Sequence, residues 1–158
     1  MKRIYQKAFT LIELLIVVAI LGILSAAVLV AIDPAAKIGL AKDANIKSDM
    51  SSISNAMQAY YTTTSLDGTG SYPLTMQGLV DEEELKTLPK TPDGGEYTLL
   101  PLPSGCDNTV GNYCDDAAVY TALKKPKVED NVWCWRASMG KIGETTEANC
   151  IAGTPEDF

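Results

Sequence analysis

From Phe9 to Ile32 the chain runs for 24 residues with only Thr10, Glu13 and Ser25 polar. At about 1.5 Å per residue, a helix of this length crosses a hydrocarbon core of about 30 Å. No small soluble core absorbs such a stretch, so the run needs an apolar environment of its own. Lys2, Arg3 and Lys7 precede it with no acid among them. Bases on that side keep the N-terminus cytoplasmic and send the body across the membrane. Two ordinary segments share this outline. A cleaved secretory signal would end in small residues, for which "SAA" (Ser25 to Ala27) is the one candidate. A plain signal anchor would need no cleavage. Neither accounts for Glu13, because a carboxylate in a spanning helix is costly and normally has a partner.

A cut between Ala8 and Phe9 would create that partner. It gives Phe9 a free α-amine, whose ordinary pKa of about 7.7–8.0 leaves it mostly protonated near neutrality. Glu13 then lies one helical turn from a positive charge. It can pair with its own amine or with that of a neighbouring copy, and the second pairing selects copies that dock in register.

The stretch "KAFTLIELLIVVAILGIL" resembles the processing site and hydrophobic helix of type IV pilins and of the pseudopilins of type II secretion. The resemblance covers residues 2–32. It implies that a dedicated membrane peptidase cuts after Ala8 and methylates the new amine of Phe9. It also implies that the retained helix first anchors the subunit and then forms the core of a filament, with Glu13 as the assembly residue. The chain departs from the family pattern twice. Alanine replaces the usual glycine before the cut, and the proline that often follows Gly22 by eight residues comes only at Pro34. Proline removes a helix donor and clashes with the preceding turn, so a helix break is expected at Gly22 and Pro34. Equally, "IDP" reads as the start of a new helix, with Asp33 as N-cap and Pro34 at the first position.

Beyond Pro34, Ile46, Met50, Ile53, Met57 and Tyr60 recur at steps of three and four, which is one apolar stripe on a helix. The pattern predicts a helix from about Thr10 to Tyr61, weakened at Gly22 and Pro34. "SLDGTGSYP" (Ser65 to Pro73) ends it with turn residues. Leu79, Leu85 and Leu88 suggest a short helix with Asp81 to Glu84 as its acidic start. Glu96 to Leu102, Ala117 to Leu123 and Asn131 to Ser138 read as strands, with "PSG", "KKPK" and "GKIG" in the connections. Their spacing is that of an antiparallel sheet. Trp133 and Trp135 share one face of it and Cys134 the other. The expected class is therefore α+β: a long N-terminal helix packed on a small antiparallel sheet, which is also the pilin fold. The expected division is a leader over 1–8, a membrane and filament helix over 9–32, an amphipathic half over 33–63, and a head over 64–158.

Past residue 8 the chain carries ten bases against twenty acids. Such a body does not bind nucleic acid by bulk charge; "LKKPK" (Leu123 to Lys127) is the one basic strip. There is no histidine, so there is no Ser-His-Asp triad, Cys-His dyad or H-E-x-x-H, and no phosphate-cradling glycine loop occurs. An enzyme is not expected. Cys106, Cys114, Cys134 and Cys150 in an exported chain predict two disulfides rather than a zinc site, since no C-x-x-C is present. Three pairings are open. Cys106–Cys114 with Cys134–Cys150 closes the shortest loops and is the preferred one. Asp115–Asp116 and Glu129–Asp130 are adjacent acids of the kind that ligate calcium in some relatives of the family; no other cofactor is expected. The expected partners are copies of the chain itself, the prepilin peptidase, membrane lipid before assembly, and the pilus or secretion assembly machinery. The expected location is a single-pass anchor with an extracytoplasmic head, and later a filament outside the cell or in the periplasm.

Overall fold

The computed structural model describes residues 9–64 and 69–153. Two units emerge, one ending at Ile38 and one beginning at Gly39. The first contains helix α1, Leu11–Ile32. Helix α2, Pro34–Thr63, starts in the first unit and supplies the backbone of the second, the head.

One sequence expectation for the helix changes, the break at Gly22. The turns of α1 continue through Gly22 without interruption, and a β-carbon placed there would meet nothing within 4 Å. An isolated glycine costs a helix only about 1 kcal/mol, which the surrounding residues offset. The interruption falls at Asp33 alone. Its backbone is left-handed (φ 44°, ψ 74°). Its carboxylate accepts from Ala36 N at 3.2 Å and its carbonyl from Lys37 N at 3.2 Å. Asp33 thus ends one helix and caps the next, with Pro34 at the first position where no amide donor is needed.

In the head, Ile46, Met50, Ile53 and Met57 of α2 have no exposed surface, and Tyr60 is half-buried at the end of the stripe. They meet a four-stranded antiparallel sheet: β1 (Thr98–Leu102), β2 (Asp116–Ala122), β3 (Val132–Arg136) and β4 (Lys141–Thr145), in that spatial order. Strand alternation sorts the residues into two cores. Ala117, Val119 and Trp135 join the α2 stripe on one face; Ala118, Val132 and Cys134 lie on the other with Cys150. Cys150 belongs to a short helix, α4 (Glu147–Ala152), capped by Thr146, whose hydroxyl accepts from Asn149 N. The head is therefore three layers, not the two that the sequence suggests.

"GKIG", read from sequence as a connection, supplies most of β4. Trp135 pairs with Ile142 and Cys134 with Gly143. A lone isoleucine among Lys141, Gly143 and Glu144 carries little intrinsic strand signal, and pairing with β3 supplies the order. The expected leucine helix is also shorter and displaced. Helix α3 is one turn, Gly78–Asp81, and the acidic run falls at its end rather than its start. Carboxylates at a helix C-terminus oppose the dipole, and the turn closes with Glu83 in the left-handed region (φ 59°). Leu85 N then bonds Leu79 O at 2.9 Å.

Two disulfides form, Cys106–Cys114 and Cys134–Cys150, with Cα separations of 5.2 and 6.0 Å. Each belongs to a different core. Two buried charges brace the layers. Arg136 grips Asp116 through Nε (2.9 Å) and the terminal nitrogen (2.7 Å), and donates to the carbonyls of Cys150 and Ile151. Asp43, only 3% exposed, accepts from Lys124 N at 2.7 Å and Lys125 N at 2.8 Å, which pins the β2–β3 loop to α2.

Asp43→Ala leaves two part-buried amides, those of Lys124 and Lys125, without an acceptor, each worth about 1–3 kcal/mol. The variant should lose about 3 kcal/mol, seen as a lower urea midpoint with an unchanged slope. Asp43→Asn keeps one acceptor and should fall between. Nearby, Lys124 and Lys42 both engage Asp93 and hold its carboxyl down to about 2, against an ordinary 3.8. A depressed carboxyl contributes above its ordinary value and loses that contribution as pH falls through its folded one. NMR titration should place the Asp93 midpoint near 2, and the Lys42→Gln, Lys124→Gln variant should return it towards 3.8.

Candidate functional site

Among the described residues, the hollow in the head lined by Met76, Leu88, Pro89, Lys90, Glu96 and Tyr97 is small and mostly apolar. The head's enclosed charged groups are occupied: Asp43 by two amides, Arg136 by Asp116 and two carbonyls. Of the adjacent acids, Asp116 is held by Arg136, while Asp115, Glu129 and Asp130 are exposed. Among the described residues no three carboxylate, cysteine or histidine side chains come together as metal ligands would.

Function points instead to the first unit. Helix α1 is apolar on every side, and none of its residues is buried. Leu11 is 82% exposed and Val30 85% exposed. A helix apolar all round belongs in a core, in a membrane or against other helices. Length and composition suffice for a membrane crossing. Its one polar interior side chain is quiet, since Ser25 Oγ donates back to Leu21 O at 2.8 Å.

The start of the helix is built from Thr10 and Glu13. Thr10 is the N-cap, in extended conformation (φ −85°, ψ 148°). Its hydroxyl accepts from Glu13 N at 3.3 Å and donates to Glu13 Oε2 at 2.8 Å; its own amide donates to the same oxygen at 3.1 Å. This is a reciprocal capping box, which satisfies amides that no earlier turn can reach. Inside hydrocarbon such satisfaction matters more, because water is not available to replace it. Glu13 is therefore not a bare carboxylate. Sequence reasoning placed it correctly in the first turn and passed over Thr10, although the pattern T-x-x-E before an apolar run is the signal that would have found it. Phe9 stands just outside the helix, 81% exposed. Ala8, on the N-terminal side of the expected cleavage site, and the residues before it lie outside the described residues.

Within the first unit, Glu13, Gly22 and Pro34 stand apart along the chain. Gly22 lies about two and a half turns along the same helix, and the disulfides belong to the other unit.

With that geometry in hand, comparison with known proteins is specific. The prokaryotic N-terminal methylation motif matches residues 3–29, the segment that holds Arg3, Lys7, Phe9, the capping box and most of α1. That motif is the signature of type IV pilins and pseudopilins. No curated protein and no solved structure matches the chain significantly.

Glu13→Gln retains an N3 side chain able to accept from Thr10, whereas Glu13→Leu removes the acceptor. In detergent micelles, amide exchange at Thr10 should change little in the first variant and quicken about fivefold in the second, as expected for a cap worth about 1 kcal/mol.

Proposed function

We propose that this chain is a structural subunit of a type IV pilus-like filament, processed between Ala8 and Phe9 and assembled through α1. The observation that carries the reading is the pairing of an entirely exposed apolar helix with a carboxylate held one turn from the processing position. The methylation motif over residues 3–29 supports it. The mature chain begins at N-methyl-Phe9. In the bilayer α1 anchors the subunit; in the fibre its apolar surface packs against the same surface of neighbouring copies. Burial of apolar area, at about 25 cal/mol per Å², makes helix packing the main source of cohesion once the helix has left lipid. Glu13 neutralises the Phe9 amine of an adjacent subunit as that subunit docks. The remaining parts are extracytoplasmic: the head hangs from α2 and presents its loops outward.

The filament is either a surface pilus or the short pseudopilus of a type II secretion system. The two disulfides in the last third favour the surface pilus, since a fibre outside the cell gains from covalent staples. The work proposed is mechanical, so no catalytic residue is assigned. A membrane-anchored binding module that never polymerises is the reading these experiments separate from the filament.

Intact-mass and N-terminal peptide analysis should give a mature chain starting at methylated Phe9. A chain starting at residue 1 or after Ala27 overturns the proposal. Glu13→Ala should still insert, fold and oxidise its cysteines, while sheared-filament yield falls at least tenfold. Glu13→Asp, a methylene shorter, should be intermediate. Wild-type filament yield from Glu13→Ala at equal subunit level would assign the carboxylate another role.

A further inference from the structure

The basic strip of the sequence, Leu123 to Lys127, is not used by the filament reading, and its setting is distinctive. It opens the loop between β2 and β3. Carboxylates hold the backbone of this loop at two points. Asp43 accepts from the amides of Lys124 and Lys125, and Glu144 accepts from those of Lys127 and Val128. Leu123 is buried beneath it. The backbone is thereby fixed, and Lys124, Lys125 and Lys127 are exposed upon it. Lys125 lies along the start of α2: a β-carbon at Gly39 would come within 2.8 Å of its Cγ. Lys42 and Lys124 close on Asp93 beside it. Among the described residues Lys125 and Lys127 form no ion pair, and both are exposed.

The location decides what such a surface can meet. Gly39 stands seven residues after the last residue of α1. Even a fully extended chain of that length reaches only about 25 Å. Chain connectivity alone therefore keeps the Gly39 end of the head, against which Lys125 lies, within that reach of the last residue of α1. The acids in the neighbourhood are Asp43, Asp93, Glu144, Glu129 and Asp130. The first three are already turned onto amides or lysines, and the last two are exposed farther along the loop.

We infer that Lys125 and Lys127, on a loop braced by Asp43 and Glu144, form a docking surface for the phosphate headgroups of anionic phospholipid, which holds the head against the bilayer while α1 is inserted. This rests on the reading of α1 as a membrane anchor. Each lysine near an anionic surface strengthens the contact about fivefold, and salt screens it. The contact belongs to the stored subunit and is given up when the helix leaves the membrane.

The test uses the full chain in lipid nanodiscs that carry a trace of headgroup spin-labelled lipid. Relaxation enhancement is read at the methyls of Leu123 and Val128, with Leu79 of the α3 turn as the internal control. In discs with one-third phosphatidylglycerol the enhancement at Leu123 and Val128 should exceed that in pure phosphatidylcholine discs about fivefold or more. It should collapse in 0.5 M salt and in the double variant Lys125→Gln, Lys127→Gln. Retained sheet shifts and both disulfides establish that this variant is folded. As a second variant, Glu129→Gln with Asp130→Asn should raise the enhancement. Equal enhancement in the two disc types overturns the inference. So does its loss on adding millimolar inorganic phosphate at constant ionic strength, which would mark a free-phosphate site instead. Co-elution of chain and disc is scored separately: a chain that stays out of the discs refutes the anchor reading, and this inference with it.

Discussion

The apolar surface of α1 governs everything else in this chain. Twenty-two helical residues turn leucine, isoleucine, valine and alanine outward on all sides, and none of them is buried. No arrangement of the head is asked to cover them. The head must accordingly be stable by itself, which explains its construction. It has a complete core on each face of a four-stranded sheet, one covalent cross-link for each core, and two enclosed charges with all their partners supplied from within. A head that borrowed stability from the anchor would unravel when the anchor changed surroundings.

The capping box changes how the glutamate is understood. A bare carboxylate near hydrocarbon invites a search for a distant cation. Here Thr10 already provides two donors to one of its oxygens. The proposed amine of a neighbour then adds to a site that is half built, so docking does not have to organise the carboxylate as well as neutralise it. Prior order of this kind lowers what association must spend on fixing side chains.

Much of this was legible in the sequence where periodicity or chemistry is local. The α2 stripe at Ile46, Met50, Ile53 and Met57, the alternation of Trp133, Cys134 and Trp135, and the α+β class all follow from spacing alone. The exceptions have physical reasons. Strand β4 has one large apolar residue, and its order comes from its neighbour. Helix α4 is six residues, too short for periodicity to show. Asp43 reads as a solvent-facing residue beside a lysine; only the fold brings the β2–β3 loop, eighty residues on, over its carboxylate. Thr10 is different, since its role was written in a four-residue pattern and needed only to be read together with Glu13.

Among the described residues the sheet has two unpaired edges, β1 and β4. On β1, Pro101 removes a backbone donor, and Pro103 follows at once after the last residue of the strand. On β4, five residues include Lys141, Gly143 and Glu144. Short, proline-bearing or charged borders are poor templates for adding another strand. For a protein whose copies would be crowded side by side, that is a safeguard of some weight. Strand-to-strand stitching between heads would be hard to undo and would compete with orderly growth. With both borders blunted, cohesion in the proposed filament is left to the helices, and heads can crowd together without fusing into amyloid-like ribbons.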